Sequence, residues 1–127
     1  MTTQEAVMTT QEVANRFYQL TQENKWMEIQ DELYAQDAES VEPPEASSYG
    51  LNNAKGLGAI KQKGEAFNNM VEEMHGGYCT PPVVGGRFFS VAMGMDVTMK
   101  GAGRVQMDEV AVYEVRNGKI VKEQFFF

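Results

Sequence analysis

The chain has 127 residues, is 43% hydrophobic and carries a formal charge of −7. That length suits one domain able to bury roughly two-thirds of its unfolded surface, and the acid excess argues against a nucleic-acid or anionic-membrane partner, because phosphate binding needs a basic stripe. Cys79 is the only cysteine, which excludes an internal disulfide; with no apolar run of about 18 residues and no basic-then-apolar leader, the expectation is a soluble cytoplasmic protein.

Residues 1–14 contain a near-duplication, Met1-Thr2-Thr3-Gln4-Glu5-Ala6-Val7 followed by Met8-Thr9-Thr10-Gln11-Glu12-Val13-Ala14. Both copies carry the Thr-x-x-Glu pattern of a capping box. Only the second precedes an amphipathic stripe, Val13, Phe17 and Leu20, so helix 1 is expected to begin near Thr9 or Thr10. Residues 1–8 are then an appendage or an extra helical turn. Helix 2 follows at once, with Asn24 as its cap and Trp26, Ile29 and Leu33 as its buried stripe. A short strand, Ala38 to Glu42, stops at Pro43-Pro44, since proline cannot donate to a ladder. After a polar loop, helix 3 places Ile60, Phe67, Met70, Val71 and Met74 inward and Lys61, Lys63, Glu65, Glu72 and Glu73 outward, and it ends at His75-Gly76-Gly77.

Four strands close the chain. Tyr78 to Val84 turns through Gly85-Gly86, which pairs Val84 with Arg87 and sets Tyr78 opposite Met93 on the apolar side. From Phe89 onward Val91, Met93, Met95, Val97 and Met99 alternate with small or polar residues, the period of a half-buried strand. Gly101-Ala102-Gly103 turns into Arg104–Val115, with Val105, Met107, Glu109, Ala111 and Tyr113 on one side. A three-residue loop, Arg116-Asn117-Gly118, would pair Tyr113 with Val121 and Ala111 with Glu123. Glu123 then lies diagonal to Glu109 on one sheet face, about 7–8 Å away. Two carboxylates in an apolar cavity cannot both ionise cheaply, so one should hold its proton near neutral pH and the two can divide acid and base roles. A two-residue loop at Asn117-Gly118 would instead turn Glu123 outward, and inward glutamates can equally pair with Arg87, Lys100 or Arg104 or serve a dimer contact.

Helix, helix, short strand, helix and four antiparallel strands is an α+β order with the helices on one face. It resembles the NTF2-like superfamily, the α+β cone, and within it the SnoaL-like polyketide-cyclase branch. The carriers are Phe17-Tyr18-x-Leu20, Leu33-Tyr34-Ala35-x-Asp37-Ala38 before Val41-Glu42-Pro43, and Tyr113-Glu114-Val115-Arg116-Asn117-Gly118-Lys119-Ile120-Val121, spread over residues 10–127. The resemblance implies one domain spanning 1–127, a cone of three N-terminal helices packed on a curved, mainly antiparallel sheet, with a pocket between them. Against the ketosteroid isomerases of that superfamily, the proton-shuttling aspartate falls at Pro43, the oxyanion-donating acid near Ala111 and the helix-1 tyrosine near Phe17 or Tyr18. Two of those three positions are empty, so the chain is not an isomerase of that type. Polyketide cyclases use an inward acid on the late strands, which points to Glu109 and Glu123.

The expected pocket lining is Phe17, Val41, Phe67, Met93, Met95, Met107, Tyr113 and Phe125, with Tyr18 or Tyr78 as hydrogen-bond donor. One histidine, His75, and no Cys-x-x-Cys or His-Glu-x-x-His spacing give no metal site and no cofactor. Two functional readings stay open. One is an enzyme moving a proton on a small, largely apolar carbonyl compound; the other is a non-catalytic ligand-binding or association module. Outward Phe88, Val110, Val112 and Phe126 would leave an apolar patch in water, so a homodimer through the sheet is expected.

Overall fold

The computed structural model describes residues 7–127; most of the first copy of the N-terminal duplication, and with it the question of an extra turn, lies outside the described residues. Helix α1 (Thr10–Gln22) begins where its capping box requires. The Thr9 hydroxyl accepts from the Glu12 amide at 3.1 Å, and the Glu12 carboxylate accepts from the Thr9 amide at 2.9 Å. Such a cap contributes about 1 kcal/mol. Val13, Ala14, Phe17 and Leu20 are fully buried along the inner side of the helix.

Helix α2 (Trp26–Leu33) follows after a short link in which Asn24 adopts a left-handed φ of 58°. Asn24 was expected to cap this helix, but the N-cap position falls on Lys25, without a side-chain bond. Trp26 was expected in the core and is 43% exposed at the first residue of the helix. Its ring meets Phe17 edge-on, with the centroids 6.4 Å apart.

Strand β1 (Tyr34–Val41) grows out of α2 four residues earlier than expected. It runs parallel to the C-terminal strand, with Tyr34 opposite Ile120 and, after a register shift, Ser40 opposite Glu123, so the chain is extended where the helix was expected to continue. A 3-10 turn (Pro44–Tyr49) and the two-residue β2 (Ala54–Lys55) lead to α3 (Leu57–Met70).

The helical stripe expected to run through Met74 ends at Met70, and β3 (Val71–Cys79) follows as a strand along β5 (Phe88–Met99). Val71 and Met74 are spaced for a helix face, but two register shifts in β3 accommodate the same spacing in extended chain, and the strand pairs its backbone with β5. Gly77 ends no helix; a Cβ there would come 3.1 Å from the Gly94 carbonyl, so glycine permits the close approach. The shifts set Tyr78 opposite Gly94 and Cys79 opposite Met93, which turns Tyr78 away from the side on which it was expected. β4 (Val83–Gly85) also pairs with β5, Val84 opposite Phe89 rather than Arg87, with Gly86-Arg87 as the loop.

β5 and β6 (Gly103–Arg116) pair along the whole of β5, from Phe88 opposite Glu114 to Met99 opposite Gly103. The turn into β7 (Lys119–Phe126) has two residues, not three: Arg116 pairs with Lys119, and Asn117 and Gly118 both have positive φ, 51° and 74°. That turn alone would aim Glu123 outward. A bulge follows, however: Val115 pairs with Ile120 and Glu114 with Lys122, leaving Val121 as the extra residue. The parity is restored and Glu123 points inward, opposite Tyr113.

The sheet order is β2-β1-β7-β6-β5-β3, antiparallel except between β1 and β7. The helices lie against one face, giving the α+β class expected. The core is centred on three rings: Phe17 lies 5.3 Å from Phe89 and 4.7 Å from Tyr113, and Phe89 stacks on Tyr113 at 4.9 Å. No helix among the described residues is long and apolar enough to cross a membrane.

Candidate functional site

A cavity of about 890 Å³ opens between α3, the α1–α2 link and the inner face of the sheet. Alternation on β5 and β6 delivers Met93, Met95 and Met107 to its wall; Phe67 comes from α3 and Phe125 and Phe127 from the chain end. Trp26 and Met74, both substantially exposed, also border it. Glu42, Lys63, Glu109 and Glu123 converge on this lining, and Asp108 borders it beside Tyr78.

Glu123 is 5% exposed. Tyr34 donates its hydroxyl to Oε1, and Ser40 donates to Oε2 at 2.8 Å. Both donors come from β1, which the parallel pairing lays beside β7. Burial pushes the Glu123 carboxyl up from its ordinary pKa, while the bonds from Tyr34 and Ser40 and the charge of Lys63 oppose that rise. Burial and the Glu123 charge push the Tyr34 phenol well above its ordinary value. Ser40 accepts from Lys63, whose ammonium also donates to Glu42 Oε1 at 2.8 Å. A continuous chain of bonds therefore runs from Glu42 through Lys63, Ser40 and Glu123 to Tyr34.

Glu109 differs. It lies on the cavity wall and takes no side-chain hydrogen bond among the described residues. Burial raises its pKa to about 7, with the charges of Glu42 and Glu123 adding to the rise and Lys63 opposing it. A carboxyl tuned to that range can take up or release a proton at neutral pH.

Of the residues expected at the site, Phe67, Met93, Met95, Met107, Glu109, Glu123 and Phe125 do share one cavity. Their spacing differs in one respect. With Glu123 opposite Tyr113 and Phe125 opposite Ala111, a full rung separates Glu123 from the level of Glu109, so the two are not diagonal neighbours. Phe17 and Tyr113 belong to the ring cluster of the core instead, and neither lines the cavity. Val41 borders a shallow hollow by Asn53 and Lys55, because the β1 alternation that turns Ser40 inward turns Val41 away. Tyr18 does not reach the cavity. Tyr78 borders it, but its hydroxyl donates to Asp108 at 2.7 Å, a bond that raises its own pKa and lowers that of Asp108. Burial likewise raises the half-buried Cys79 thiol. No group of three or more His, Cys, Asp or Glu side chains is arranged for a metal among the described residues.

The sequence reading missed Tyr34, Ser40, Glu42 and Lys63. Lys63 was placed on the outer side of helix 3, yet Ile60, Lys63, Gly64 and Phe67 all line the cavity with the i, i+3, i+4, i+7 spacing of one helix face. Glu42 follows the end of β1 two residues after Ser40, the period that puts residues of extended chain on a common side.

Comparison with known proteins agrees with this fold. The model of the SnoaL-like domain matches residues 8–127. A crystal structure from Mesorhizobium loti, described as a candidate SnoaL-like polyketide cyclase, is 35% identical, with a TM-score of 0.86 over 94% of this chain and 100% of that one. An NTF2-like protein from Burkholderia pseudomallei shares the fold at 18% identity, with a TM-score of 0.74 over 93% of this chain and 89% of that one. So does a protein of cystatin-like fold from Xanthomonas campestris, at 12% identity and a TM-score of 0.76 over 94% and 90% of the two chains. No protein of curated function matches this chain. With its family model spanning nearly the whole chain and its helices packed on one face of the expected sheet, the protein belongs to the SnoaL-like domain family.

Proposed function

We propose that the cavity binds a small, largely apolar carbonyl compound and that Glu109 moves a proton on it, in chemistry of the cyclase or isomerase type. The observation that carries this reading is Glu109 itself: a carboxyl on the wall of a methionine- and phenylalanine-lined cavity, without a side-chain partner and with a pKa near 7. The Mesorhizobium loti relative, described as a candidate polyketide cyclase, supports the same class. Glu123, braced by Tyr34 and Ser40, holds the framework and the local charge rather than serving as the second half of an acid/base pair.

The experiment is deuterium exchange. A panel of enolisable aryl ketones is incubated with the protein in heavy water and followed by NMR. Exchange at the carbon beside the carbonyl, lost in Glu109→Gln, is the expected result. Binding of the ketones without exchange above the buffer rate would make the chain a non-catalytic binding module instead.

We also infer that a second copy covers the outer face of the sheet. Phe88, Val110 and Phe126 are 39%, 45% and 48% exposed there, and Val110 and Phe126 sit on one rung with Ala92. An apolar strip of this kind can pack against the same strip of a second copy about a twofold axis. The single thiol suits a reducing compartment such as the cytoplasm.

A further inference from the structure

The bonded chain that passes through Lys63 has one donor left over. An ammonium carries three N–H groups and accepts nothing. Lys63 gives one to Glu42 Oε1 and one to Ser40 Oγ. The ring of Phe125, its centroid 5.7 Å away, attracts the charge without accepting a conventional hydrogen bond. The side chain is 12% exposed, and Lys63 is part of the cavity wall together with Glu42, Glu109 and Glu123. Among the described residues it is the only basic one on that wall apart from His75.

We propose that Lys63 is a catalytic residue whose third N–H receives the carbonyl oxygen of the substrate and stabilises it as an enolate. The inference rests on the reading of the cavity as the site of Glu109 proton transfer, and it names the substrate class more closely: an uncharged compound with an acidic C–H beside a C=O. The ionised Glu109 carboxylate takes the proton. The C–H electron pair becomes the new C=C bond, and the carbonyl π pair moves onto oxygen. Where a C=C adjoins the deprotonated carbon the enolate is conjugated, and reprotonation at the far alkene carbon by Glu109 returns the carboxylate and releases the isomer, so neither oxidant nor co-reactant is needed. The ammonium matters because the oxygen gains charge only as the proton leaves, and a donor aimed at developing charge in a water-poor site lowers the barrier selectively. Glu42 and Ser40 hold that ammonium in place before substrate arrives, so little reorganisation is required. The three glutamates on the same wall disfavour a substrate that enters as a carboxylate.

The test uses naphthalene and a series of hydroxynaphthalenes of graded acidity as enolate mimics, with binding read by calorimetry and hydroxyl ionisation by fluorescence. In the wild type, affinity should rise with hydroxyl acidity, by roughly tenfold across the series, since a hydrogen bond to a charged oxygen is about twice as strong as a neutral one. The double variant Lys63→Met with Glu42→Gln, which removes the charge without stranding its partner, should bind naphthalene as before and lose the trend. Lys63→Arg should keep it. In deuterium exchange the double variant should lower kcat with KM nearly unchanged. Naphthalene binding with no dependence on acidity in the wild type, or a trend that persists in the double variant, overturns the role of Lys63 while leaving the cavity as a ligand site. Where the double variant does not fold, Lys63→Gln with Glu42→Gln takes its place, and a trend that persists there overturns the role of Lys63 equally. If naphthalene and every naphthol fail to bind, the cavity reading falls as well.

Discussion

Lys63 and Glu42 meet at 2.8 Å with their side chains 12% and 6% exposed, an ion pair almost withdrawn from water. Such a pair contributes little over an apolar replacement, but breaking it on one side leaves a stranded charge. Lys63→Met alone should therefore destabilise the fold by about 3–5 kcal/mol, and adding Glu42→Gln should recover most of the loss. Urea unfolding of the two variants checks this. A single variant as stable as the wild type would mean that Glu42 reaches solvent.

Gly94 makes a second, purely steric prediction. A Cβ there would fall 2.5 Å from both Asp108 Oδ1 and Tyr78 Cε1, and 2.9 Å from the Met107 carbonyl oxygen. The side chains can swing aside, but the backbone oxygen cannot. Gly94→Ala should cost roughly 1–3 kcal/mol, the usual range for overpacking, and should break the Tyr78–Asp108 bond. An unchanged melting temperature would contradict the packing of Tyr78 over β5.

The fold was largely legible because its signals are local and periodic. The Thr9–Glu12 box and the Val13, Phe17, Leu20 stripe fix α1 within a residue, and the alternation of Phe89 to Met99 defines β5 and its faces. What failed was set by pairing across the sheet. Val71–Gly77 reads as the end of a helix until β5 supplies a partner, and nothing in Val121 announces a bulge. Glu123 was expected inward through a three-residue loop; it is inward through a two-residue turn and that bulge, which moves it one rung along β6. The ring cluster shows the same limit. Phe17 and Tyr113 have the right face for the cavity, but α1 lies so close to the sheet there that they fill the core. Tyr34 and Ser40 went unread because a parallel β1–β7 pairing joins residues more than 80 positions apart.

The outer strip predicts the oligomeric state. Val110→Lys should convert a dimer to a monomer at micromolar concentration, because an ammonium buried without a partner costs several kcal/mol. Sedimentation equilibrium on the wild type and the variant checks it. A wild type that is already monomeric would remove the second copy from the account.

Stability should fall as pH rises from about 4.5 to about 7. Glu109 and Glu123 both have folded pKa values above those of the unfolded chain, so the folded protein holds more protons than the unfolded chain in that window. Their stabilising contribution is complete below the unfolded pKa and is lost as pH passes through the folded value. For Glu109 the loss is on the order of 3 kcal/mol. Glu109→Gln should flatten the profile and be more stable than the wild type at pH 8. A wild type that gains stability across the window would contradict the shared burial of these two acids.

The most direct test of the acid/base assignment is the carboxyl carbon of Glu109 followed by NMR through a pH titration. A midpoint near 7 is expected, set by burial and by the charges of Glu42 and Glu123, with a lower midpoint in the Glu42→Gln variant. A Glu109 midpoint near the free value of about 4.3 would contradict it, because a carboxylate fully ionised at that pH would be too weak a base for the proposed proton transfer.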